Sequence, residues 1–169
     1  MSFRELAAAR RTHKEFGAAP IDPDTLLELL DAARYAPNHH LTQPWRFRVI
    51  GPDTLARLKE CAGESESKKL DRAPTLVVAS AALTGELVTD EEDVCATAAA
   101  IVLVLLAATE RGIATYWRTP AILRSARGRE ATRIPKGERV LGLLHFGAPA
   151  REPAARERAD VSQYVAVLP

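Results

Sequence analysis

Cysteine is nearly absent from this chain: only Cys61 and Cys95 occur, and they form no C-x-x-C pair. That excludes a disulfide framework and a thiolate zinc site. An excess of charge of either sign is also lacking. Lys and Arg together number 23 and Asp and Glu 22, for a formal net charge of +1. No general attraction to nucleic acid or to an anionic membrane follows, so local clusters of one sign carry the information. The opening residues, Met1 to Glu5, lack the apolar core of a signal peptide. The most apolar run, Val94 to Thr109, is short for a bilayer and is bounded by acids before it and Glu110-Arg111 after it, which reads as a buried helix. A cytoplasmic protein without nucleic-acid or membrane partners is expected. No internal repeat, low-complexity tract or linker precedes the last quarter of the sequence.

What is present is the balance of an ordinary globular protein, 47% hydrophobic and 27% charged over 169 residues. That length suits one domain over 1–169, with a C-terminal arm over about 148–169 where Pro149, Pro153 and alternating charges begin. Ser2-Phe3-Arg4-Glu5 has the form of a capping box and predicts a helix from Phe3 to about Arg11. Asp22-Pro23 opens a second helix, striped by Leu26, Leu27, Leu29, Leu30 and Ala33 and ended by Pro37. Trp45 to Ile50 alternates as a strand, with Arg46 and Arg48 on the face opposite Trp45, Phe47 and Val49. Gly51-Pro52-Asp53 turns into a third helix through about Ala62, and Thr75 to Ala81 is a plausible central strand.

Asp90-Glu91-Glu92-Asp93 predicts the start of a long helix, where the dipole favours acids, and Gly112 its C-terminal cap. This helix is apolar on nearly every side, so in a small domain packing against a second subunit is one way to bury it. Ile113 to Trp117 and Arg139 to Phe146 read as strands, and Pro120 to about Arg129 as a short helix. The end of the arm, Tyr164 to Leu168, is apolar enough to dock somewhere. Elements without regular βα alternation point to an α+β fold.

Arg10-Arg11-Thr12-His13-Lys14 sets three cations and a hydroxyl within five residues. Guanidinium forks and an ammonium suit a phosphate, although cations near a helix C-terminus also simply answer its dipole. Between Tyr35 and Phe47 a helix ends at Pro37 and a strand begins after Pro44, leaving a loop of polar and aromatic residues fit to wall a ligand. His39-His40 is a poor metal site, since adjacent residues rarely chelate one ion and no complementary ligand stands nearby.

Taken in order, the basic R-x-[ST]-x-[RK] run, the segment A-P-x-x-x-x-x-Q-P-W-x-F from Ala36 to Phe47, the Ala-rich helix leading into Gly112 and Trp117-Arg118-Thr119, and the strand Leu141 to Gly147 followed by Pro153-x-x-Arg156-x-Arg158 resemble the nitroreductase-like flavoprotein family. The resemblance spans nearly the whole chain and is similar to the family's smaller members. It implies a central, mostly antiparallel sheet flanked by helices, two chains interlocked as a homodimer, and FMN at the interface. Arg10, Arg11 and Thr12 would hold the FMN phosphate and ribityl chain, completed by Arg156 and Arg158. Lys14 would sit near the N1/C2=O side of the ring as a redox tuner. Tyr35, Pro37, Asn38 and His39 would come from the partner subunit. Trp117, Arg118 and Thr119 would run along the ring, although a tryptophan taken alone reads more readily as core than as a cofactor contact, a balance that its two polar neighbours shift.

The implied activity passes hydride from NAD(P)H to a small electron-poor acceptor, such as a nitro compound or quinone, in two steps, with no catalytic side chain required. The same scaffold also suits flavin-dependent dehydrogenation, oxygen-using chemistry or a non-catalytic flavin-binding role. Thr12 and Lys14 stand where the family often has Ser and Arg, and Leu41 where Asn is common. The stretch Ala62 to Asp71 lacks the insertions that form substrate lids in larger relatives, and no G-x-G-x-x-G dinucleotide fingerprint occurs.

Overall fold

The computed structural model describes residues Met1–Pro169. Six α-helices run α1 (Phe3–Ala9), α2 (Pro23–Asp31), α3 (Pro52–Cys61), α4 (Glu64–Leu70), α5 (Leu87–Glu110) and α6 (Ala126–Ala131). Four strands, β1 (Trp45–Val49), β2 (Thr75–Ala82), β3 (Ala114–Arg118) and β4 (Glu138–Gly147), form one sheet in the order β1-β2-β4-β3. Every pair in it is antiparallel, so the architecture is the expected α+β fold.

The sheet separates two apolar clusters. On one face Val77, Ala79, Leu144 and Phe146 meet Leu26, Leu29, Ala33 and the buried side of α5. On the other, Val78 and Leu143 meet Leu58, Leu70, Ile122 and Ala131 from α3, α4 and the turns around α6. The period-2 alternation of β2 and β4 supplies both faces at once, which makes their sequences apolar throughout.

Local signals set several boundaries. Ser2 Oγ accepts from the Glu5 N–H at 3.2 Å while the Ser2 N–H donates to Glu5 Oε2 at 2.6 Å, the capping box read from the sequence. The Asp22 carboxylate caps α2 through the Thr25 N–H at 3.0 Å. At the end of α5, Gly112 takes φ 69°, and the Gly112 and Ile113 N–H groups donate to Thr109 and Ala108 carbonyls at 3.0 and 2.8 Å. This pair of bonds is a Schellman motif, which needs a residue tolerant of the left-handed region.

Other boundaries differ from expectation. The first helix stops at Ala9, not Arg11, because the next residues leave it to pair with β3: Thr12 bridges Thr115, and the His13 N–H donates to the Thr115 carbonyl at 2.9 Å. The long helix starts at Leu87, before the four acids, because the Glu86 carboxylate accepts from the Val88 and Thr89 N–H groups. Pro120 to Arg129 is not one helix but a 3-10 turn, Ala121–Arg124, followed by α6, whose N-cap is Ser125. Helix α4 was not expected; it occupies the stretch between Ala62 and Asp71.

By length and composition α5 could cross a membrane, but half of its most apolar window is buried in the fold. Its outer stripe stays bare, with Glu91, Cys95 and Val102 exposed. After Gly147 the arm is extended apart from a short turn, Val161–Gln163. Its apolar end, Tyr164, Val165, Val167 and Leu168, is exposed in the single chain.

Candidate functional site

The two basic groups, far apart in sequence, line one cleft of about 560 Å³. Arg10, Arg11, Thr12 and Lys14 come from the segment after α1, and Arg151, Arg156 and Arg158 from the C-terminal arm, with Glu15 and Glu152 beside them. Three main-chain contacts explain the meeting. Residues 12 and 13 lie along the outer edge of β3, Phe16 bridges Pro149, and the Gly17 N–H donates to the Ala148 carbonyl at 2.9 Å. Because β4 is paired with β3 up to Gly147, the arm leaves the sheet beside the segment that carries Arg10 to Lys14. A side chain at Gly147 would crowd Phe16 and Pro74 at 3.1–3.3 Å, so glycine lets that segment lie close.

The cleft is electrostatically incomplete. Burial, then the charge of Arg158, then that of Arg11, push the Arg10 guanidinium below its usual value. Arg10, Lys14, Arg151, Arg156 and Arg158 take part in none of the chain's ion pairs. Arg11 differs, since its Nη1 donates to the carbonyls of Ala8 and Arg10 and so closes the frayed end of α1. Unpaired cations facing one another across a groove favour an anion between them.

The other sequence candidates lie outside this cleft. Tyr35 is 76% exposed at the end of a 3-10 turn, and Pro37 is exposed beside it. Asn38 is committed to its own loop, donating to the Ala36 carbonyl at 3.0 Å and accepting from the Gln43 N–H at 2.9 Å. The His39 Nδ1–H donates to Glu92 Oε2 at 2.8 Å, and the Thr42 hydroxyl donates to Asp93 Oδ1 at 2.6 Å, tying the loop to α5. Between and just after these ties, His40, Leu41 and Gln43 hold φ values of 51°, 52° and 44°. Three non-glycine residues in the left-handed region mark a loop held under strain, a state that clusters at ligand clamps. No metal-ligating cluster includes His39 and His40.

On β3 the tryptophan is a framework residue. Its Nε1–H donates to the Leu141 carbonyl at 3.0 Å and its ring packs on the α5-side core. Leu141 is the extra residue of a bulge, since the β2–β4 register slips where Ala79 pairs Gly142 and Ser80 pairs Val140. A Cβ at Gly142 would lie 2.3 Å from Trp117 Nε1 and 2.6 Å from the Arg118 carbonyl. Arg118 points to the opposite face, where Nη2 donates to Glu66 Oε1 at 2.5 Å in an ion pair with α4. Its carboxylate partner thus belongs to α4, the helix that the sequence did not reveal. Thr119 is exposed just past the strand.

Sequence reasoning missed Arg151, although it stands two residues before Pro153. It also missed His145, hidden in an apolar strand. That ring is fully buried between Phe16 and Tyr116, with neither nitrogen hydrogen-bonded.

Comparison with known proteins fits this geometry. The sequence matches the nitroreductase family over residues 7–69 and 62–148. The Bacillus subtilis protein YfhC, provisionally named an NAD(P)H nitroreductase, is 25% identical over 174 residues, covering 94% of this chain and 90% of its own. A nitroreductase-like protein of known structure from Bacillus cereus superposes with a TM-score of 0.90 at 24% identity, covering 99% of this chain and 96% of that one. Iodotyrosine deiodinase, crystallised with FMN and 3-iodo-L-tyrosine, superposes at 0.78 with 21% identity, over 95% of this chain and 96% of its own. The chain belongs to the nitroreductase family of oxidoreductases.

Proposed function

We propose that the chain is an FMN-dependent NAD(P)H oxidoreductase that works as a homodimer on a small electron-poor acceptor, a nitro compound or quinone. The observation that carries this reading is the convergence of Arg10, Lys14, Arg156 and Arg158 on one cleft. The donor set fits a phosphate monoester: guanidinium forks match its oxygens in pairs, and the Thr12 hydroxyl adds a further donor. Arg10, Thr12, Arg156 and Arg158 would hold the phosphate, with Arg11 bracing the end of α1 beside them. Lys14 would offer its ammonium to the ring's N1/C2=O side, where one charge-assisted hydrogen bond is worth ~1.5–3 kcal/mol.

When bound, FMN supplies two-electron chemistry, taking up electrons from NAD(P)H and releasing them to the acceptor. The chain supplies position and charge. β3 is an edge strand whose outer side is engaged only at Thr115, so main-chain donors around Trp117, Arg118 and Thr119 remain for a ligand. The Trp117–Leu141 bond and the Arg118–Glu66 pair hold that backbone still.

The dimer reading is supported by what one chain leaves uncovered: Val102 on α5, 42% exposed, and the apolar end of the arm. In such a dimer Tyr35, Pro37, Asn38 and His39 would close over the partner's cofactor. A visible spectrum of the purified protein, with its elution volume, tests the proposal. A yellow dimer, bleached by NADPH or NADH without oxygen and recoloured by a nitroarene or quinone, is expected. Colourless protein with no affinity for added FMN contradicts it.

A further inference from the structure

The cleft carries more positive charge than one flavin phosphate uses. Its lining holds six cations against two carboxylates, whereas a phosphate monoester brings only about −1.5 to −2 near neutral pH. Arg151 is the cation left without a role once Arg10, Arg156, Arg158 and Lys14 are assigned and Arg11 is engaged with the carbonyls at the end of α1. It takes part in no ion pair, even though Glu15 and Glu152 line the same cleft. Its backbone position is fixed next door, where the Ala150 N–H donates to the Glu15 carbonyl at 3.4 Å. A second anion in the cleft satisfies this surplus.

We propose that Arg151 is a specificity-determining residue that binds phosphate of the nicotinamide co-substrate and favours NADPH over NADH. The inference rests on the FMN reading above, in which the dinucleotide must enter the space that holds the flavin. Both dinucleotides carry a pyrophosphate; only NADPH adds a monoester dianion, the group that a free guanidinium binds most strongly. Arg151 is exposed, so its preference weakens as salt rises.

The test is calorimetric titration of the FMN-loaded protein with adenosine 2′,5′-bisphosphate and with AMP, beside KM values for NADPH and NADH. The bisphosphate is expected to bind roughly tenfold more tightly, the effect of one ordinary charge-assisted contact. Arg151→Ala abolishes that difference and raises the KM for NADPH by a similar factor, whereas Arg151→Lys keeps part of both. FMN content, read from the flavin absorbance, stays with the variants. Equal affinities in the unmodified protein overturn the proposal, as does flavin loss from Arg151→Ala, which would place Arg151 at the FMN phosphate instead. Failure of the FMN reading itself is visible beforehand, as protein that stays colourless with added flavin, and the inference falls with it.

Discussion

Acidification should destabilise this protein well above the range in which carboxylates titrate, through His145. The ring is fully buried on β4, and Arg118 lies near enough to repel its charge. Burial first and Arg118 second push it from 6.5 down to about 4. Backbone groups of Tyr116, Leu143 and Lys69 favour the charged ring in part, but neither ring nitrogen has a hydrogen-bond partner. The unfolded chain takes up the proton near 6.5 and the folded chain only near 4. Between those values the unfolded state binds more protons, so stability is intact above about pH 6.5 and falls as the pH drops towards 4. The interval is worth roughly 3 kcal/mol, a large share of a small domain's stability.

Urea unfolding midpoints measured from about pH 7.5 to 4.5 read this directly, and His145→Leu supplies the control. The substitution removes two unpartnered nitrogens at little change in volume, so it should leave stability at neutral pH equal or about 1 kcal/mol higher. It should also flatten the profile between pH 6.5 and 4.5. Glu138 does not mimic the effect. Burial raises its carboxyl, but hydrogen bonds from Arg48 and Ser80 outweigh that and hold it below 4.5, so its contribution is lost only at lower pH. A His145→Leu profile as steep as the original, or a loss above about 2 kcal/mol at neutral pH, would refute the reasoning.

Gly142→Ala should force Trp117 from the Leu141 carbonyl and cost about 2–4 kcal/mol, through overpacking and a lost hydrogen bond, visible as a lower Tm and altered tryptophan fluorescence. Gly112→Ala, at φ 69° with nothing within 4 Å of its Cβ, should cost only about 1 kcal/mol, the left-handed backbone penalty alone. Glu66→Gln removes the charge partner of Arg118, whose Nη1 already lacks one. About 1–3 kcal/mol of stability should be lost, measured by urea unfolding, and Arg118→Met in the same background should restore part of it.

Fold and site were legible in the sequence wherever the cause is local. Ser2 with Glu5, Asp22 with Pro23, and Gly112 each determine a helix end through groups within a few residues. What escaped depends on distant partners. The first helix ends early because Thr115, on β3, captures residues 12 and 13. Helix α4 has one buried residue, Leu70, and no apolar stripe, so only its docking reveals it. With α4 unseen, Glu66 could not be named as the partner of Arg118. The cleft joins distant residues and was legible only through the family resemblance, whose motifs assign cations at both ends of the chain to one phosphate; Arg151, between two prolines, stood in none of those motifs.

Arg10 and Arg158 are expected to act on one anion, and a double-mutant cycle on FMN affinity tests that most directly. Each alanine substitution should weaken FMN binding roughly tenfold or more, the strength of one charge-assisted contact. The combined loss should depart from the product of the single losses, because both groups address the same phosphate. Strictly independent effects, or an Arg158→Ala protein that holds FMN as tightly as the original, would contradict the account.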